Sequence, residues 1–304
     1  MFVKNKSKIN NTKTPFYILM LVILLLYAIS IFSMLIWGFY NSFKDSLGFE
    51  YADNPIALPK VWHFENFMVA LDAMKVEIDF VGGEYATRYA NAIEMYYNSI
   101  LYAVGGAFVV TITPCLVSYI VCKYGKKFKF LKIYTGIVIV CMSIHVVGSD
   151  ASALKMARTL NIYDTIWGLW IMKAYFLGMY YLVFLGAFSS IPDSFMESAK
   201  IDGASNFSVM LKIMLPLVKN TFFTIWLLQF IALWNDYQTP LLYIPNRPTI
   251  SYGLFRFGNS PNAELATVPM QLMGSMIVFV PVLILFCFLQ KRIMGNISMG
   301  GLKE

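Results

Sequence analysis

Charge is what this sequence has least of. Of its 304 residues only 13% are Asp, Glu, Lys or Arg, while 58% are hydrophobic and the mean hydropathy is +0.62. A soluble domain of this length needs far more polar surface, so the composition points to a membrane protein. Histidine is nearly missing, with His63 and His145 alone. Neither H-E-x-x-H nor G-x-S-x-G occurs, so no catalytic or metal site assembles from the sequence. The four cysteines (Cys115, Cys122, Cys141, Cys287) lie in or beside apolar stretches, without the C-x-x-C spacing of a zinc site, and read as buried membrane thiols. Acidic residues are absent from residues 1–15 and from 122–132. The net charge of +7 and pI of about 9.1 therefore read as topological. A basic patch interleaved with aromatics, as nucleic acid would need, is also missing.

What the sequence has in abundance is long apolar runs. About 20 helical residues cross the roughly 30 Å of hydrocarbon in a bilayer. Six stretches approach or exceed that length: 16–39, 96–121, 133–149, 165–192, 221–244 and 265–290. The expected fold is all-α, with six transmembrane helices. The first stretch follows Lys4, Lys6, Lys8 and Lys13, is too long for the apolar part of a signal peptide and lacks a small-x-small cleavage site, so it reads as an uncleaved anchor. Residues 1–15 carry four lysines, and 122–132 carry five (Lys123, Lys126, Lys127, Lys129, Lys132). The loop 41–95 is the reverse, with four basic residues against nine acidic ones. The positive-inside rule then puts both termini in the cytoplasm of a plasma (inner) membrane, the loop 41–95 outside and the segment 193–220 inside. Within the outer loop, "WHFENFMVALDAM" has helical spacing and predicts a short amphipathic helix at the interface.

The segment "ESAKIDGASNFSVMLKIMLP", Glu197 to Pro216, sets charges between two apolar stretches. Ser194 with Glu197 three residues on has capping-box spacing, Asp193 lies beside it, and Gly203 tolerates the left-handed conformation that ends helices. A second short helix capped by Ser205 or Asn206 follows as far as Pro216, with Phe207, Met210 and Leu211 on one face. Ala199 and Gly203, four apart, leave a small face for close approach. A helix–Gly–helix element of this kind is either a docking surface or an ordinary interfacial loop.

The segment resembles the EAA loop of permease subunits from binding-protein-dependent, ATP-driven (ABC) importers, a pattern of roughly E-A-A-x-x-D-G-A followed by I-x-L-P. Glu197, Ala199, Asp202, Gly203, Ala204, Ile213, Leu215 and Pro216 stand in the matching places. Ser198 replaces the second Ala, and Asn220 stands where the family has another proline. "NSFKD" (Asn41 to Asp45), "FENF" (Phe64 to Phe67), "NSI" (Asn98 to Ile100), "LNIYDT" (Leu160 to Thr165) and "WNDYQTPLL" (Trp234 to Leu242) resemble sugar-permease signposts. The tail "KRIMGNISMGGLKE", with Gly295, Gly300 or Gly301, and Lys303, is similar to that of the smaller maltose-type permease. The stretch Asp72 to Glu94 is longer than is usual in that family.

The resemblance implies a cytoplasmic basic tail 1–15, a permease domain 16–292 with a coupling loop 193–219, and a cytoplasmic tail 293–304. It implies a second permease subunit, ATPase subunits that bind ATP and Mg, an extracytoplasmic solute-binding protein and a carbohydrate or oligosaccharide cargo. The chain itself would bind no cofactor and carry no catalytic site. The expected coupling residues are Glu197, Ala199, Asp202, Gly203, Ala204, Phe207, Ile213 and Pro216, with Glu197 pairing to a basic residue of the ATPase. Polar residues in apolar spans are costly and face a bundle interior or cavity, which makes Gln229, Asn235 and Asp236 candidates for the solute pathway. For Gln229 an interhelical hydrogen bond is the competing reading, and for Asp236 a structural one. Trp234 reads as part of an interfacial belt, and His145 and Lys173 as snorkelling or capping near outer ends. Ser99, Ala103, Gly106 and Ala107 read as a helix-packing face. Two other classes compete: an importer of the same type for a non-sugar solute, and an ion-coupled secondary transporter. The central thirds of the six stretches contain no carboxylate, which disfavours the latter.

Overall fold

The computed structural model describes residues 14–297 except 47, 50–53, 79–87, 126, 129 and 145–147. His145, Lys4, Lys6, Lys8, Lys13, Gly300, Gly301 and Lys303 lie outside the described residues. Two compact units are distinguished: residues 1–70 with 260–276, and residues 71–259 with 277–304.

In the first unit, helix α1 (Thr14–Asn41) carries Leu, Ile, Val and Phe on every side, and almost all of them are exposed. An all-round apolar helix with no buried face is stable only where lipid or another chain replaces water. After α1 the chain folds on itself. Asn66 is buried and its amide donates to the carbonyls of Ser42 (3.0 Å) and Lys44 (2.8 Å). The Lys44 ammonium donates to the Asn54 carbonyl at 2.8 Å and sits over the rings of Tyr40 and Phe49. Asn66 belongs to α2 (Glu65–Ala73), the short helix expected from "WHFENFMVALDAM". The Glu65 carboxyl at its first turn is held below the usual carboxylate range, first by a backbone N–H and then by His63 at 2.6 Å.

The second unit opens with a two-stranded antiparallel ribbon, β1 (Val76–Ile78) and β2 (Arg88–Ala90), paired Val76 to Ala90 and Ile78 to Arg88. Arg88 forks onto the Glu94 carboxylate at 2.8 and 2.5 Å, which ties β2 to the first turn of α3 (Ala92–Tyr124). Asn91 caps α3 by accepting from the Glu94 N–H. With 33 residues α3 is about 50 Å long, more than the hydrocarbon needs. Its small-residue face is buried as expected: Ser99, Ala103, Gly106 and Ala107 lie inside. A Cβ on Gly105 would stand 2.3 Å from the Trp170 ring, and one on Gly106 2.8 Å from Leu233 Cδ1.

The remaining elements follow in order: α4 (Phe130–Ser143), α5 (Asp150–Thr159), α6 (Ile166–Met172), α7 (Met179–Ser189), α8 (Ser194–Ile201), α9 (Asn206–Val209), a π turn (Met210–Met214) and α10 (Leu215–Leu217). Then come α11 (Lys219–Trp234), α12 (Gln238–Tyr243), α13 (Ile250–Gly258) and α14 (Val268–Ile297). Helices α6, α7 and α11 pack on α3.

The expectation of six transmembrane helices is corrected. Among the described residues three helices are long and apolar enough to cross a membrane: Pro15–Asn41, Ala92–Tyr124 and Val268–Phe288. A fourth results only if Asn206–Leu217 and Lys219–Trp234, bent by 71°, count as one span. The physical reason is that apolar composition does not register a break in the helix. In the stretch 133–149 the apolar helix ends at Ser143, and its 11 residues from Ile133 cover only about 16 Å. The stretch 165–192 is cut at Lys173 to Gly178, between α6 and α7. The stretch 221–244 is cut after Trp234, where the Asp236 carboxylate accepts from the Thr239 N–H at 3.0 Å and starts α12.

Candidate functional site

Two groups of polar residues stand out in the second unit. The first is the segment 193–219. Its helix α8 does not form the expected capping box, because neither Asp193 nor Ser194 accepts from the helix N-terminus. The Lys123 ammonium, 3% exposed at the end of α3, donates instead to Asp193 (3.0 Å) and to the Ile191 carbonyl (2.9 Å). A buried lysine thus ties the start of α8 to the end of α3. At its other end α8 stops as expected. Gly203 takes φ +80°, its N–H donates to the Lys200 carbonyl, and the Ala204 N–H donates to Ala199 at 2.9 Å. A Cβ on Gly203 would meet nothing within 4 Å, so the glycine serves the turn, and the small face expected of Ala199 and Gly203 is not used at Gly203. Ser205 caps the next helix by accepting from the Ser208 N–H. Ahead of Pro216, which has no N–H to donate, the helix widens to a π turn in which the Leu215 N–H reaches the Met210 carbonyl.

This geometry divides the expected residues between two faces. Ala199 is buried with Val209 and Met214 against Phe184 and Phe188 of α7 and Tyr119 of α3, and Ala204 and Ile213 pack at the edge of that cluster. Glu197, Asp202, Gly203, Phe207 and Pro216 are exposed. Phe207 leaves 67% of its surface open, joined by Ile201 at 86% and by Leu211, while Met210 turns inward. The exposed side chains of the segment therefore include two carboxylates and large apolar groups, backed by a packed inner face.

The second group lies along α6, α7 and α11. Gln229 donates from its amide to the Tyr180 hydroxyl at 2.6 Å, an interhelical hydrogen bond inside this chain. Asp236 accepts from the Tyr102 hydroxyl (2.8 Å), and its carboxylate stands 3.6 Å from the Lys173 ammonium, which also reaches the Thr239 hydroxyl at 3.5 Å. Lys173 does not merely snorkel: it pairs with the aspartate of another apolar stretch, a partnership that no local spacing signals. Trp234 is buried, its indole donating to the Val278 carbonyl at 3.2 Å, so it is no interfacial belt residue. Asn235 is exposed and its amide donates back to the Ile231 carbonyl of its own helix at 2.8 Å. Gln229 lines a cavity of about 250 Å³ with Tyr180, Lys173 and Tyr175, whereas neither Asn235 nor Asp236 lines it.

Residues 87–298 match the family described as the binding-protein-dependent transport system inner membrane component. The diacetylchitobiose uptake system permease protein NgcG of Streptomyces coelicolor is 22% identical over 284 residues, covering 91% of this chain and 86% of that protein. The maltodextrin transport system permease protein MdxG of Bacillus subtilis is 33% identical over 140 residues, 44% of this chain and 50% of that protein. In fold the chain is similar to one from the crystal structure of a bacterial ABC transporter involved in the import of the acidic polysaccharide alginate. That similarity has a TM-score of 0.69 at 23% identity and covers 96% of this chain and 99% of the other. With the family match running through the EAA-like segment and the helices that hold it, this chain belongs to the binding-protein-dependent transport system inner membrane components, the permease chains of ABC importers.

Proposed function

We propose that this chain is the permease subunit of an ATP-driven importer for a carbohydrate, driven through residues 193–219. The observation that carries this reading is the two-faced segment at the end of α3: Ala199, Val209 and Met214 anchor it, and Glu197, Asp202 and Phe207 are left facing outward. A rigid exposed element with both charge and apolar surface suits docking in a groove of another protein. Glu197 pairs there with a basic residue of an ATPase subunit, which binds ATP and Mg. Removing one partner of such an enclosed pair costs about 2–5 kcal/mol. A second permease completes the pathway, an extracytoplasmic solute-binding protein delivers the cargo, and the two permeases work by alternating access. This chain contributes no catalytic site.

Charge supports the orientation without any count of spans. The acidic loop 41–95 leads into one end of α3 and the lysine-rich 122–132 leaves the other, where Lys123 holds α8. That end and the tail 1–15, with its four lysines, lie in the cytoplasm. A carbohydrate cargo is supported by the relatives named for diacetylchitobiose and maltodextrin. The test is Gly203→Val in membrane vesicles containing the whole transporter. The variant stays in the membrane and loses ATP-dependent oligosaccharide uptake, while ATP hydrolysis persists uncoupled. Uptake at the unmodified rate would sink the coupling role.

A further inference from the structure

We infer that the break between α6 and α7 is a solute site of its own, in which two adjoining chambers meeting at Lys173 and Tyr175 take an uncharged, polyhydroxylated solute. The inference deepens the carbohydrate reading and rests on it. The first chamber, about 250 Å³, is the one lined by Tyr180 and Gln229. The second, about 380 Å³, is lined by Ser149, Asp150, Thr239 and Tyr243. Lys173 and Tyr175 line both. The first volume lies just below, and the second near the lower end of, the range for drug-sized ligand sites, about 300–1,000 Å³, so each chamber suits one unit of an oligomer.

Backbone physics points to the same place. Lys173 to Gly178 interrupt two apolar helices, the chain between those helices lines the first chamber, and wherever such a break meets lipid its backbone persists only if protein buries it or a polar cavity bathes it. The chemistry of the walls then selects the solute. The Gln229 amide and the Tyr180 hydroxyl are bonded to each other at 2.6 Å, and whichever way the amide faces, the pair still presents at least one donor and one acceptor. That is the complement of a sugar hydroxyl, which both donates and accepts. Tyr175 and Tyr180 add aromatic surface. Among the described residues Lys173 is the one cation lining the chambers, and Asp236, itself held by Tyr102 and Thr239, balances it at 3.6 Å. Asp150 adds negative charge to the second chamber. Among the described residues a carboxylated sugar finds no unpaired cation there and meets Asp150; a neutral one does not suffer this.

The test uses the transporter isolated from its own membrane through a tag on this chain, with Cys122, Cys141 and Cys287 replaced by Ser and Leu177→Cys as a reporter in the first chamber. Alkylation of the reporter by a maleimide is timed with gluco-, xylo-, arabino- and N-acetylchito-oligosaccharides and with oligouronates of equal length. At least one neutral oligosaccharide slows alkylation severalfold, the oligouronates do not, and Gln229→Leu abolishes the protection. Asp236→Asn leaves Lys173 unbalanced and brings in protection by oligouronates. Protection by oligouronates equal to that by neutral sugars, before any such change, overturns the charge argument. No protection by any sugar overturns the site, and if vesicles still take up a neutral oligosaccharide with ATP, the carbohydrate reading survives that failure. Vesicles that take up no sugar of either kind overturn both.

Discussion

At the residue scale, two side chains carry most of the argument for the segment 193–219. Gly203 stands at φ +80° with open space around it, so its constraint is the backbone and not packing. An L side chain in that conformation costs about 1–2 kcal/mol, least for Asn. Gly203→Asn is therefore expected to keep most of the uptake that Gly203→Val loses, and equal uptake by the two variants would remove backbone conformation from the account. Lys123 is the other. Its ammonium makes charge-assisted bonds to Asp193 and to the Ile191 carbonyl, each worth about 1.5–3 kcal/mol. Lys123→Met should free the start of α8, so that a cysteine placed at buried Ala199 is alkylated faster in that background; an unchanged rate would mean that the inner face alone holds the helix. Gly203 was legible in the sequence because a glycine ending a helical pattern has a stereochemical meaning. Lys123 was legible only as topological charge, since its partners lie 68 and 70 residues away.

At the scale of elements, the packing of α3 is set by what it lacks. Glycines at 105 and 106 let Trp170 and Leu233 approach its backbone. Gly105→Leu drives a side chain into the Trp170 ring, and overpacking of this kind costs about 1–3 kcal/mol. The expected result is a lowered unfolding midpoint of the detergent-solubilised transporter, against no change for Gly136→Leu, where a Cβ meets nothing within 4 Å. A pattern of small residues every four positions found Ser99, Ala103 and Ala107 with Gly106 beside them, but not Gly105, whose close neighbour Trp170 lies on another helix. Hydropathy could not find the breaks at 173–178 and after Trp234. Both lie inside apolar runs, and what holds them is a charge pair, Lys173 with Asp236, drawn from two stretches distant in sequence. The same blindness hid the ribbon of β1 and β2, whose strands are three residues each.

At the scale of the whole molecule, orientation and assembly are the claims to test. With loop 41–95 outside and 193–219 inside, a membrane-impermeant maleimide added to right-side-out vesicles labels Lys60→Cys and leaves Lys200→Cys untouched, and inverted vesicles reverse the result. The same labelling of both positions would break the charge argument. The account stands or falls, however, on the exposed face of α8 and α9 meeting a motor. The most direct measurement is crosslinking from Lys200→Cys in gently solubilised membranes, followed by identification of what is attached. The account predicts an ATPase subunit joined at that position, in a complex that also holds a second permease. A chain that purifies alone, with no ATPase captured from position 200, would contradict it and leave the segment as a surface loop.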